Sequence, residues 1–171
     1  MAIDQKEILT GEKALAKIRE LLEKLPIAFM VTADHGTLTA RPIGVVGDNA
    51  EFDGALWFIT DKRSRKVAAI EAGATTTLLF QNDKEGTYLH LSGRAAVVED
   101  AAKLKELYTT LQRTWFPKGV DDPDITLVRF DADDADYWDS HDSYIRLAAA
   151  FAKSIVTGTP GKSGNAGVAK L

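Results

Sequence analysis

Trp57-Phe58-Ile59-Thr60-Asp61-Lys62-Arg63-Ser64-Arg65-Lys66 is an apolar run that ends in a hydroxyl, passes through a short charged turn and opens a helix at Ser64. A helix N-terminus presents amides with no partner inside the helix, together with the positive end of its dipole. Cations in the first turn oppose that dipole, so Arg65 and Lys66 call for an anion, to which the hydroxyls of Thr60 and Ser64 can donate. A phosphate fits this inventory. The competing reading is a basic, solvated helix start that balances an acidic chain. Just upstream, Thr39-Ala40-Arg41-Pro42-Ile43-Gly44-Val45 places one arginine in an otherwise apolar extended run. A half-buried arginine needs a partner, and if this strand neighbours Leu56 to Thr60, Arg41 reaches the same phosphate. Pro42 has no N–H to give a ladder, which suggests an edge or bulged stretch.

Outward from these segments, Ala14, Ile18, Leu21, Leu22 and Leu25 recur at helical spacing and predict an amphipathic helix from Asp4 to Lys24, stopped by Pro26. Ile27 to Thr32 reads as a buried strand that turns at Asp34-His35-Gly36 into a second extended run, Thr37 to Val46. Leu56 to Thr60 is a third strand, and the helix after it takes Ser64 as N-cap and Gly73 as C-cap. Thr75 to Gln81 and Tyr88 to Val98 make two more, joined by a polar turn. Leu104, Leu107, Tyr108 and Leu111 mark a helix, Ile125 to Phe130 and Ala135 to Trp138 supply the last strands, and Ser143 to Val156 reads as helical. Short strands with hairpin turns, interrupted by a few helices, fit a mainly β, closed or half-open barrel better than a doubly wound parallel sheet.

The chain has 171 residues, 45% hydrophobic and 27% charged, which suits one globular domain over 1–156 followed by a Gly-, Ser-, Pro- and Lys-rich tail at 157–171 that reads as a flexible segment. With 21 Lys and Arg against 25 Asp and Glu, the net charge of -4 argues against a nucleic-acid partner. No apolar run approaches the about 20 residues of a membrane helix, and the start lacks the pattern of a secretory signal, so a cytoplasmic protein is expected. There is no cysteine, which removes thiol chemistry and thiolate metal sites.

Other motifs fail on spacing. Gly158-Thr159-Pro160-Gly161-Lys162-Ser163 lacks the glycine a Walker loop requires at position 156. Asp131 to Asp136 has no turn glycine for a calcium loop and reads as a solvated acidic turn. Ser140-His141-Asp142 are chain neighbours that cannot form a relay. His35, His90 and His141 share no metal spacing; His35 reads as a turn residue and His90 as either packed or pocket-lining.

Taken in order, Ala40-Arg41-Pro42-Ile43, Phe58-Ile59-Thr60, Ser64-Arg65-Lys66 and Ser92-Gly93-Arg94-Ala95 resemble the FMN-binding split barrel of the pyridoxamine 5'-phosphate oxidase-like superfamily. Trp115-Phe116-Pro117-Lys118-Gly119, Asp122-Pro123 and Tyr137-Trp138-Asp139 are similar to its general stress protein branch. The resemblance implies a six-stranded antiparallel split barrel that dimerises, with FMN at the dimer interface. By position, it implies that Arg41 and Lys66 hold the FMN phosphate with Thr60, Ser64 and Arg65, while Pro42, Ile43, Phe58 and Ile59 line the ring. Tyr88 falls where the oxidases carry a glutamine against the flavin, and Trp115 is placed to lie near the ring held by the second subunit or to pack as a core or interface residue. Val46 stands where the oxidases have a substrate-binding lysine, and the tail lacks their closing Arg-rich segment, so pyridoxine phosphate oxidation is not expected. The expected function is a flavin-dependent oxidoreductase of the stress response, with NAD(P)H as candidate donor and no assignable acid or base. The alternative is a non-catalytic module that stores or senses FMN or FAD; deazaflavin and heme are further options within the superfamily.

Overall fold

The computed structural model describes residues 7–34, 36–139 and 165–171. Its strands are β1 (Glu7–Thr10), β2 (Ile27–Asp34), β3 (Thr37–Gly44), β4 (Ala55–Asp61), β5 (Thr76–Asn82), β6 (Thr87–Val98), β7 (Ile125–Asp139) and β8 (Asn165–Lys170). The α-helices among these residues are α1 (Glu12–Leu22), α2 (Arg65–Glu71) and α3 (Ala101–Leu107).

Strands β3, β2, β5, β6 and β7 pair in that order, all antiparallel, and β4 adds to the first half of β7 from Ala55↔Asp131 to Asp61↔Ile125. A single bridge between Val46 and Trp57 ties the chain after β3 back to β4. The six strands β2 to β7 are therefore the mainly β split barrel that the sequence predicts. Alternation fills it: on β4, Leu56, Phe58 and Thr60 point inward, and Leu56 and Phe58 join Met30, Leu78, Leu91 and Phe130 in one core. One face of α1 closes the core through Ala14, Ile18, Leu21 and Leu22.

Two further strands lie outside the six. β8 pairs antiparallel with the second half of β7, and β1 runs parallel beside β8, Glu7↔Gly167 to Thr10↔Lys170. This corrects two expectations. The opening helix does not extend back toward Asp4: Gly11, at φ 58, breaks the chain between β1 and α1. Nor is the whole tail a flexible segment, because Asn165–Lys170 is a strand whose Ala169 is fully buried. Gly167 sits against the Tyr137 ring, where any Cβ would overlap the phenol.

The acidic run is likewise no turn. Asp131 to Asp136 lies inside β7, a single strand in place of the two expected, with Ala135 and Tyr137 inward and Asp134 and Asp136 outward. A bulge absorbs one residue: Ser92 opposes Asp134 and Gly93 opposes Ala132, leaving Asp133 extra. Gly93 is required there, since a Cβ would overlap the Asp131 carbonyl. No helix among the described residues is long and apolar enough to cross a membrane. The expected helix Ser143 to Val156, the turn residue His35, the stretch 140–142 and the loop 158–163 lie outside the described residues.

Candidate functional site

The inward faces of β2 and β3 run out toward their hairpin as Met30 and Thr32 on one strand and Arg41 and Thr39 on the other. Arg41 shares the face of buried Ile43 but sits one step nearer the mouth, half-buried. Its Nη1 donates to Thr32 Oγ1 at 2.8 Å and to the Met30 carbonyl at 3.2 Å. Helix α2 packs its buried Val67 and Ile70 on the core next to β2 and β6, which brings its first two residues, Arg65 and Lys66, toward Arg41.

Electrostatics record the convergence. Burial pulls the Arg41 guanidinium below its ordinary value, and the charge of Arg65 adds to the effect. Lys66 is lowered first by burial and then by the charge of Arg41, with Asp61 opposing. Arg65 thus makes the Arg41 charge costlier to keep, and Arg41 does the same to Lys66. Among the described residues none of Arg41, Arg65 and Lys66 forms a salt bridge. Arg63 behaves differently: it is held by Asp61 at 2.9 Å and Asp124 at 3.0 Å, so its charge is answered within the chain.

Ser64 occupies the N-cap position, yet its side chain makes no cap bond, and its Oγ is buried without a hydrogen-bond partner. A buried hydroxyl left unpaired beside three unanswered cations is a deficit that a bound oxyanion would remove. Thr60 is buried next to the last residue of β4, four positions before Ser64. The residues present therefore fit a phosphate-bearing group.

The remaining expected site residues separate. Phe58 is fully buried and Ile43 nearly so, both as members of the core; strand alternation turns them inward, on the same faces as Thr60 and Arg41. Ile59 packs on the small cluster of Val46, Leu107 and Leu127. Pro42 is exposed on β3, at the end of the sheet path, where its missing N–H costs no ladder bond. Tyr88 faces outward from β6, opposite in sense to Arg41, and its hydroxyl donates to Asp83 Oδ1 at 3.2 Å. One chain does not bring Tyr88 to the cations. Trp115 is 66% exposed on the connection between α3 and β7. His90 is half-buried on the outward face, where its Nε2 meets Thr77 Oγ1 at 2.7 Å and its Nδ1 lies 3.6 Å from Asp136 Oδ2. Thr32 was not legible as a site residue; its only sequence signal is a hydroxyl at an inward position of an apolar strand.

The family described as pyridoxamine 5'-phosphate oxidase like matches residues 13–161. No curated protein matches the chain. Among solved structures it is similar to a candidate general stress protein 26 from Jannaschia sp. CCS1, with 22% identity, TM-score 0.75, and coverage of 94% of this chain and 100% of that one. It is also similar to a protein related to general stress protein 26 from Clostridium acetobutylicum, of the pyridoxinephosphate oxidase family, at 26% identity and TM-score 0.64, covering 77% and 92%. A third is the general stress FMN/FAD binding protein from Xanthomonas citri, at 22% identity and TM-score 0.65, covering 75% and 90%.

Proposed function

Because the chain belongs to the pyridoxamine 5'-phosphate oxidase like family, we propose that it binds FMN non-covalently and works as a flavin-dependent oxidoreductase of the stress response. The observation that carries this reading is the group of Arg41, Arg65 and Lys66, mutually coupled and without a salt bridge to any carboxylate among the described residues, together with the unpartnered hydroxyl of Ser64 at the start of the same helix as Arg65 and Lys66. A terminal phosphate dianion would relieve both the repulsion and the orphaned donor, and Thr60 would add a second hydroxyl. The name of the Xanthomonas citri neighbour, an FMN/FAD binding protein, points the same way.

A bound flavin would supply hydride and electron transfer between a reduced donor, with NAD(P)H the first candidate, and an acceptor. The chain's part is to hold the phosphate and to orient the ring from the β3 backbone at Pro42 and Ile43. Oxidation of pyridoxine phosphate is not part of the proposal: Val46 is buried against Leu107 and Leu127 and offers a substrate phosphate no charge.

The proposed working form is a homodimer. Ile27, Phe29, Leu79, Tyr88 and Trp138 stand exposed on the outward face of β2, β5, β6 and β7, where register aligns Phe29 with Leu79 and Tyr88 with Trp138. A run of large apolar side chains of this kind is the signature of a face that another surface covers, and the occupant we assign is a second copy of the chain.

The test is the visible spectrum of the purified protein, mass analysis of the chromophore that denaturation releases, and titration of flavin-stripped protein with FMN and FAD. An FMN spectrum with tight rebinding is expected; a colourless protein that binds neither flavin refutes the reading. Turnover with a panel of donors then separates an oxidoreductase from a flavin carrier, and light scattering of the loaded protein reads the dimer.

A further inference from the structure

We propose that Thr32 is the residue that positions Arg41 for the phosphate, and that it does so without consuming the charge of Arg41; this rests on the flavin reading above. Thr32 is 1% exposed on the inward face of β2, beyond the buried apolar residues Ala28 and Met30 on the same face. A valine would fill that place with the same shape and no polar atom to satisfy. The hydroxyl instead accepts Nη1 of Arg41 at 2.8 Å, and the Met30 carbonyl accepts the same nitrogen at 3.2 Å.

What matters is the chemistry of these two acceptors. An arginine that must be held still is commonly held by a carboxylate, and a carboxylate cancels the charge it fixes. Arg63, a few residues away, is held in that manner by Asp61 and Asp124. Arg41 is held only through neutral oxygens among the described residues, so its full charge stays available while its long side chain has already lost its freedom. The register supports the role: Met30 pairs with Arg41 across the β2–β3 ladder and Thr32 pairs with Thr39, so the hydroxyl lies one inward step toward the hairpin from the arginine it binds. The loose end of the guanidinium is thereby fixed at the mouth of the barrel, where α2 delivers Arg65 and Lys66.

The experiment compares FMN with riboflavin, which has the same ring and no phosphate, by quenching of flavin fluorescence on the flavin-stripped full chain. The ratio of the two Kd values reports the phosphate contact alone. Thr32→Val is expected to weaken FMN about tenfold, the loss of one hydrogen bond to a charged group, and to leave riboflavin unchanged; Thr32→Ser should restore the ratio. In an Arg41→Ala background, Thr32→Val should have no further effect on FMN. If Arg41→Ala collapses the ratio and Thr32→Val does not, the positioning role is overturned and the site stands. If Arg41→Ala leaves the ratio intact, the phosphate site itself is wrong. Should Thr32→Val fail to fold by circular dichroism, Thr32→Ala is read in the same assay, and an unchanged ratio there overturns the proposal equally.

Discussion

Replacing Lys66 by methionine should make the flavin-free protein more stable and a poorer flavin binder at the same time. Methionine keeps the length of the apolar stem and removes only the charge. In the folded chain, burial and the charge of Arg41 hold the Lys66 ammonium below its ordinary 10.5. The charged form is thus disfavoured by folding, and the unfolded chain binds more protons between the depressed value and 10.5. Linkage then gives the sign: wild-type stability rises with pH through that window, and the penalty is present in full below it. Lys66→Met removes the penalty. At pH 7.5 the flavin-stripped variant should therefore melt higher than the wild type, with the gap closing as pH approaches 10.5. Toward FMN the change reverses. Loss of one charge-assisted bond, about 1.5–3 kcal/mol, corresponds to a Kd about 10- to 150-fold weaker. Differential scanning calorimetry of flavin-stripped protein at several pH values, with a fluorescence titration against FMN, reads both arms. A lower Tm would mean that Lys66 is part of the scaffold, and an FMN Kd within about twofold of wild type would remove it from the phosphate site; either result refutes the reasoning.

Lys17→Met tests the pin between α1 and the end of β7, where Nζ meets buried Asp139 at 2.6 Å. Burial alone would lower Lys17, but Asp139 and Glu20 raise it above 10.5, so its contribution is present below 10.5 and lost as pH rises through the folded value; the variant should lose about 1.5–3 kcal/mol in urea denaturation at neutral pH and less in strong alkali. Gly93→Ala forces a Cβ into the Asp131 carbonyl at the bulge, a backbone obstacle that cannot swing aside, and should cost the upper part of about 1–3 kcal/mol or more in the same assay. Phe29→Asp with Leu79→Asp puts charge on the exposed outward face and should give a folded monomer by light scattering; an unchanged dimer would place the interface elsewhere.

The barrel was legible because its strands obey one period. Leu56, Phe58 and Thr60 alternate with Trp57 and Ile59, and Thr76, Leu78 and Phe80 alternate with Thr77 and Leu79, so inward and outward faces can be written down before any pairing is known. That same alternation puts Phe58 on the inward face of Thr60 and Ile43 on that of Arg41, while their place along a ring wall comes from position by resemblance. β7 was split by its carboxylates: Ala135 and Tyr137 keep the period, while the charge of Asp131 to Asp136 and the extra Asp133 hide it. β8 had no comparable signal, since Asn-Ala-Gly-Val-Ala-Lys is small and weakly patterned, and its place depends on the Tyr137 ring that only the fold brings to Gly167. At the site, Arg41, Ser64, Arg65 and Lys66 could be read as a set because unanswered cations are conspicuous in an acidic chain. Thr32 could not, because a hydroxyl on a strand becomes meaningful only once the β2–β3 register puts an arginine beside it.

The parallel pairing of β1 with β8 also has a mechanical meaning. In a parallel pair the chain enters at Glu7 at one end and leaves at Lys170 at the other. A load applied between residues 7 and 170 therefore shears the two strands along their length, and the register pairs from Glu7↔Gly167 to Thr10↔Lys170 must yield together, whereas an antiparallel pair pulled from its open end unzips one bond at a time. Since β8 is itself laced to β7, the six inner strands are shielded from tension until this clamp gives way. Resistance to threading by a protein-unfolding motor, which is governed by the rate of forced opening, would then be set by a short ladder outside the barrel and not by the barrel's core.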